Sequence, residues 1–171
     1  MSKVVTNQQE LDKAIADTSV TRIAIDSDVP GKWLTVHDVS KTIEVINGKI
    51  EARGRCSLIE MYGSSEVIAW DGAITMYGNG GYAQIGGRSV LTECGIGPNE
   101  IVAHGESLVI VHGQAKVMAL GRSTIDARES RDAVINAHCN AWVKAGPLVI
   151  THVYSASVRV DGGIIHNRFM S

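Results

Sequence analysis

A single phenylalanine stands in the whole chain of 171 residues, beside three tryptophans and four tyrosines. An interior without large aromatic rings must be filled by smaller groups, and Val, Ile and Ala supply them. Three prolines leave few forced breaks in the backbone. Three cysteines, Cys56, Cys94 and Cys139, lie far apart in an odd set. That excludes a disulfide framework and any zinc-ligand spacing, and predicts small core or corner residues in a reducing compartment. Net charge is only −2. This is too little for a basic grip on DNA phosphates or for a whole-molecule acidic DNA mimic, so no direct nucleic-acid partner is expected. Neither a signal-peptide core in residues 1–13 nor an apolar run of bilayer length is present. The expectation is a cytoplasmic protein without a membrane partner.

Glycine, by contrast, is plentiful, with 18 residues. From residue 48 a unit recurs: small residue, any, Val or Ile, any, Ala, any, Gly. It runs from Gly48 through Ile50 and Ala52 to Gly54, then from Ser57 through Ile59 and Met61 to Gly63. Val67 and Ala69 lead to Asp71, and Ile74 and Met76 to Gly78. The centre is looser, with Ala83 and Ile85, then Val90 and Thr92, assigned to the apolar columns. Order returns with Ile101 and Ala103, Val109 and Val111, Val117 and Ala119, and Ile125 and Ala127. After an insertion at 129–131 it resumes with Ile135 and Ala137, Val143 and Ala145, and Val158 and Val160.

Alternation of this kind is the two-residue period of a strand, and the closing glycine suits a turn. Between the apolar columns lie Glu51, Asp126, Lys144 and Arg159, so that column faces water and the aliphatic ones face inward. No unit can bury its inner face alone. Stacking along an axis solves this, and the fold class expected is all-β: one parallel β-helix, right-handed, at about 16 or about 24 residues per turn. Six-residue, nine-residue and five-residue solenoid repeats do not fit the octad. Residues 1–20 are expected as an N-terminal capping helix, with capping-box spacing from Thr6 to Gln9 and Leu11, Ala14 and Ile15 on one face. Residues 21–163 form the solenoid, and 164–171 a C-terminal tail or cap.

With these units the sequence resembles the octapeptide-repeat solenoids of bacteria and phages, of the type SSTVxAxG, most closely at 65–71, 114–121 and 122–129. Residues 5–25 are similar to the capping segment of such proteins. The resemblance implies a β-solenoid in a phage or mobile-element setting. It implies no catalytic residues.

Candidate binding residues come from the outward position before the glycine: Arg53, Tyr62, Trp70, Tyr77, Glu93, His104, His112, Leu120, Arg128, His138 and Asp161. Of these, Tyr62, Trp70, Tyr77, His104, His112, Arg128 and His138 are the expected protein-binding face, since rings on a rigid sheet lose little entropy on binding. A second outward column, Ile68, Leu91, Val102, Ile110 and Met118, would expose apolar surface next to Leu120. Ile68, Ile110, Met118, Leu120, Ile164 and Phe169 are therefore expected at a self-association surface, with a homodimer favoured. His104 and His112 lack a shared acidic partner and, at two units per turn, would lie on different faces, so no metal is expected, nor any cofactor. Paired carboxylates of the glycosidase kind and a nucleophile elbow are both missing. The function expected is thus non-enzymatic: a phage-encoded protein that binds and inhibits a host protein or complex, for example a defence system in the manner of an anti-CRISPR. The alternative is a carbohydrate-binding or carbohydrate-cleaving β-helix of a phage appendage, using Trp70, Tyr77 and Tyr62.

Overall fold

A computed structural model describes residues 1–27, 31–56, 58–63, 65–77, 80–95 and 97–169. Ser57 and Gly78, which bound two of the repeats, lie outside them. Strands numbered along the chain sort into two parallel sheets. The first stacks β1 (Ser2–Val5), β2 (Arg22–Asp26), β4 (Thr42–Asn47), β6 (Leu58–Met61), β8 (Ala73–Met76), β10 (Val90–Glu93), β12 (Leu108–Val111), β14 (Thr124–Ala127), β16 (Trp142–Ala145) and β18 (Arg159–Asp161). The second stacks β3 (Trp33–His37), β5 (Lys49–Arg53), β7 (Glu66–Trp70), β9 (Tyr82–Gly86), β11 (Asn99–Ala103), β13 (Ala115–Ala119), β15 (Val134–Ala137), β17 (Ile150–Val153) and β19 (Ile164–Asn167). Consecutive octads alternate between the sheets. Val109 registers on Ile125 and Ile125 on Val143, which settles the turn at two octads rather than three. Sheets of 10 and 9 strands, at about 4.8 Å per step, make a rod about 40 Å long.

The inward columns are those the repeat predicts. Ile59, Ile74, Val109, Ile125 and Val143 are 0–2% exposed, as are Ala52, Ala69, Ala103, Ala119 and Ala137. One stretch is out of phase with expectation. Leu91 and Glu93 face inward, fully buried, and Val90 is 39% exposed. Leu91 registers on Ile74 and Val109, and a one-residue slip flips every side chain of a strand to the other face. Leu91 therefore belongs to the core, not to an outward apolar column. Glu93 is likewise no part of an outward ladder.

Helix α1 (Gln8–Ala16) closes one end of the rod, burying Leu11 and Ala14. Its cap is one residue later than the spacing suggests. Asn7 is the N-cap and accepts from the Glu10 amide at 3.0 Å, while the Glu10 carboxylate accepts from the Thr6 N–H at 2.8 Å. A charged acceptor beside the positive end of the helix is stronger than the amide of Gln9. Strand β1 precedes the helix and pairs with β2, Val5 on Ile25, so residues 1–20 hold a strand as well as a helix. At the far end β19 registers on β17, Ile164 on Ile150. Residues 164–167 are thus a further rung.

Gln8 bridges the helix to the open edge of β3. Its Nε2 donates to the Thr35 carbonyl at 2.9 Å, and its Oε1 accepts from the Thr35 N–H at 2.8 Å. The side-chain amide stands in for a neighbouring strand. Gln8→Ala should cost about 1–2 kcal/mol, read by chemical denaturation; an unchanged midpoint would show that water replaces the amide without loss.

Candidate protein-binding faces

Two strands per turn give the rod two different corners, and the ring residues divide between them. Trp70 ends a strand of the second sheet and His104 and His138 follow strands of it, whereas Tyr62, Tyr77, His112 and Arg128 follow strands of the first. The seven residues expected on a single face form two ladders on different sides. His104 and His112 are accordingly apart.

The ladder after the second sheet is built by backbone register. Trp70 pairs with Gly86; the N–H groups of His104, Leu120, His138 and Tyr154 each donate to the strand before, at 2.8–2.9 Å. Successive side chains therefore sit about one strand step apart. The His138 and Tyr154 rings stack at 4.5 Å and 3°. Tyr154, 42% exposed, was missed because the repeat was carried from Val143 straight to Val158. Thr151 and Val153 mark the skipped rung: a threonine stands where Val or Ile is usual.

Trp70 shapes its neighbour. A Cβ added at Gly86 would lie 2.0 Å from the indole Cζ3, so the ring rests on the bare backbone of the next rung. Gly86→Ala should swing Trp70 into water and red-shift its emission; a spectrum identical to wild type would mean the ring does not lie there.

Below this ladder the corner turns through positive φ at Asp38 (49°), Gly54 (70°), Asp71 (61°) and Gly87 (60°). Aspartate tolerates this region better than most residues. Here it also bonds onward: Asp38 Oδ1 accepts from the Arg55 N–H at 2.9 Å and Asp71 Oδ1 from the Arg88 N–H at 2.7 Å. Each carboxylate crosses the next rung where a Cβ on Gly54 or Gly87 would come within 2.2–2.3 Å of it. Arg88, Glu106 and Arg122 continue outward as exposed ion pairs of 3.7 and 3.4 Å. Such pairs contribute little to stability.

The ladder after the first sheet differs in chemistry. Tyr62 and Tyr77 stack at 5.4 Å, and burial raises the Tyr62 phenol above its usual range. Cys94, His112 and Arg128 follow. His112 Nδ1 lies 3.1 Å from a Glu129 oxygen. Arg128 forks onto Asp126 at 2.9 and 2.6 Å and, through those hydrogen bonds, holds that carboxyl below the usual range. Beneath the corner lies Glu93. Its Oε1 accepts from the Gly95 N–H at 2.8 Å and from the Asn99 amide at 2.9 Å, and its Oε2 from the Gly113 N–H at 2.9 Å.

The expected self-association residues also scatter. Ile68, Met118 and Ile164 lie on strands of the second sheet, with Leu120 at its corner, whereas Ile110 lies on the first. Met118 is 42% exposed and registers on half-buried Val102; Ile68 and Ile110 are half-buried. Ile164 (45% exposed) and Phe169 (37%) gather at the uncapped end. Close to them burial, then Arg168 and His166, hold the His152 imidazole below its usual range. The fold thus favours the neutral ring. Its contribution is intact above the unfolded-state value of 6.5 and is lost as pH falls below it. The melting temperature should drop on acidification, and drop less in His152→Asn; equal drops would assign the effect elsewhere.

Fold and faces define a two-sided β-solenoid with a short helix against its N-terminal end. Among its described residues no helix is long and apolar enough to cross a membrane, and no group of three or more His, Cys, Asp or Glu could hold a metal ion. No family model, curated protein or solved structure matches the chain.

Proposed function

We propose that this chain is a non-enzymatic, phage- or mobile-element-encoded binding protein that acts in the host cytoplasm by occupying a host protein, with defence systems of the CRISPR type as the class of target. The observation that carries the reading is the aligned ladder along one corner: Trp70 lies over Gly86 of the next rung, and His104, Leu120, His138 and Tyr154 follow it one rung apart. Rings held in register by backbone hydrogen bonds are already ordered, so a partner gains contact area at small entropic cost. Met118 and Val102 extend that surface onto the second sheet. The setting in phage or mobile DNA rests on the octapeptide resemblance alone.

Capture from host lysate with wild type, with Trp70→Ala/Tyr154→Ala and with Tyr77→Ala tests it. The partner should be lost only with the first variant. Loss with neither would leave the ladder structural. A carbohydrate-binding appendage is the second reading, favoured by the stacked Tyr62 and Tyr77, the latter 47% exposed. It requires oligosaccharide titration to quench fluorescence in wild type and not in Tyr77→Ala.

A further inference from the structure

The two ends of the rod are built differently. At one end α1 covers the first rungs and Gln8 satisfies the edge of β3. At the other, β18 and β19 are the last strands of their sheets. Thr151 is fully buried, yet Ile165, which continues its inward column by one rung, is 46% exposed. An aliphatic interior column therefore reaches the surface between two strand edges that, among the described residues, pair with no strand on one side.

The sequence of β18 says what fits there. It reads Arg159, Val160, Asp161, with Val160 packed against the core and the two charges outward. An antiparallel copy of the same strand, centred on Val160, sets each Arg159 opposite the other copy's Asp161. Opposite charges on directly facing residues favour that pairing. A two-fold axis normal to the sheets brings β19 against its own copy in the same operation, and Ile165 against aliphatic groups of the second interior. From this self-complementarity we infer that the open end docks on a second copy of the chain, tail to tail, through β18 and β19. A two-fold contact pairs each surface with its own copy, so it closes at a dimer and does not propagate into a fibre. The surface adjoins the ladder only at its Tyr154 end, where Arg168 is the next rung, and it lies far along the rod from Trp70, so a Trp70 variant reads the host partner and the Asp161 and Ile165 variants read the dimer.

Light scattering on the full chain across a concentration series is the test. Wild type should give twice the 18.3 kDa chain mass. Asp161→Arg turns two attractive pairs into repulsive ones and should raise the dimer dissociation constant about tenfold or more. The exchange Arg159→Asp with Asp161→Arg should restore it. Ile165→Lys, at an already exposed position, should give a monomer that still melts cooperatively. Amide exchange supplies a reading without variants: protection at 159–161 should rise with protein concentration. Wild type that stays monomeric, a trimer, a dimer indifferent to Ile165→Lys, or a folded charge-exchange variant that remains monomeric would each overturn the proposal.

Discussion

Val117→Asp should yield a chain with no cooperative melt. Val117 is fully buried and registers between Ile101 and Ile135, so the new carboxylate would meet only aliphatic neighbours in its column. A buried charge without a partner costs about 4–5 kcal/mol or more. A domain of this size has about 5–15 kcal/mol of stability in all. Because each rung rests only on its neighbours, the damage falls mid-rod, where both halves lose their support. Met118→Asp supplies the control. One residue further along β13, this side chain points outward and is 42% exposed, so its change should stay within about 0.5 kcal/mol. Circular dichroism melts of the two variants read the parity of the strand directly. Equal melts would mean that the inward assignment is wrong.

Glu93→Ala should be nearly as damaging, for the opposite reason. Here a charge is already inside, between Met76 and Val111 in the stacking order, and three donors from Gly95, Asn99 and Gly113 converge on it. Truncation leaves those buried N–H groups facing an apolar methyl, at a cost of about 3–5 kcal/mol. Glu93→Gln keeps one acceptor oxygen but brings an N–H toward other donors, so it should fall between wild type and the alanine variant. Denaturant midpoints rank the three. Should Glu93→Gln match wild type, the carboxylate is not what holds this corner.

Those two residues also mark how far the chain could be read without coordinates. Val117 stands in a run where Val or Ile and Ala alternate for several octads, and periodicity alone places it. Glu93 sits where the period slips, and hydrophobicity assigned it to water. Only the register of Leu91 on Ile74 and Val109 reverses that, since the donors to Glu93 are backbone N–H groups of its own corner and of the next rung together with the Asn99 side-chain amide. Which residues share a side was legible only in part. The octad gives a position within the unit but not the number of units per turn, so six rings and Arg128 in one equivalent position read as one face. Two octads per turn split them. Tyr154 was hidden for a simpler reason: Thr151 replaced the aliphatic marker of its rung, and a threonine with a buried hydroxyl can fill that space at some cost in hydrogen bonding. Ile164 and Phe169 mark the C-terminal end in the sequence, where residues 164–171 read as a tail or cap and 164–167 form a strand.

Alternation of octads between the sheets constrains how such a gene can lengthen or shorten. Inserting a single unit ahead of Trp70 would carry every downstream side chain to the other corner, exchanging the tryptophan–histidine edge for the tyrosine one beyond that point. Gain or loss of units in pairs preserves both edges and alters only the length of the rod. Tandem duplication is therefore neutral to surface identity only in steps of one full turn.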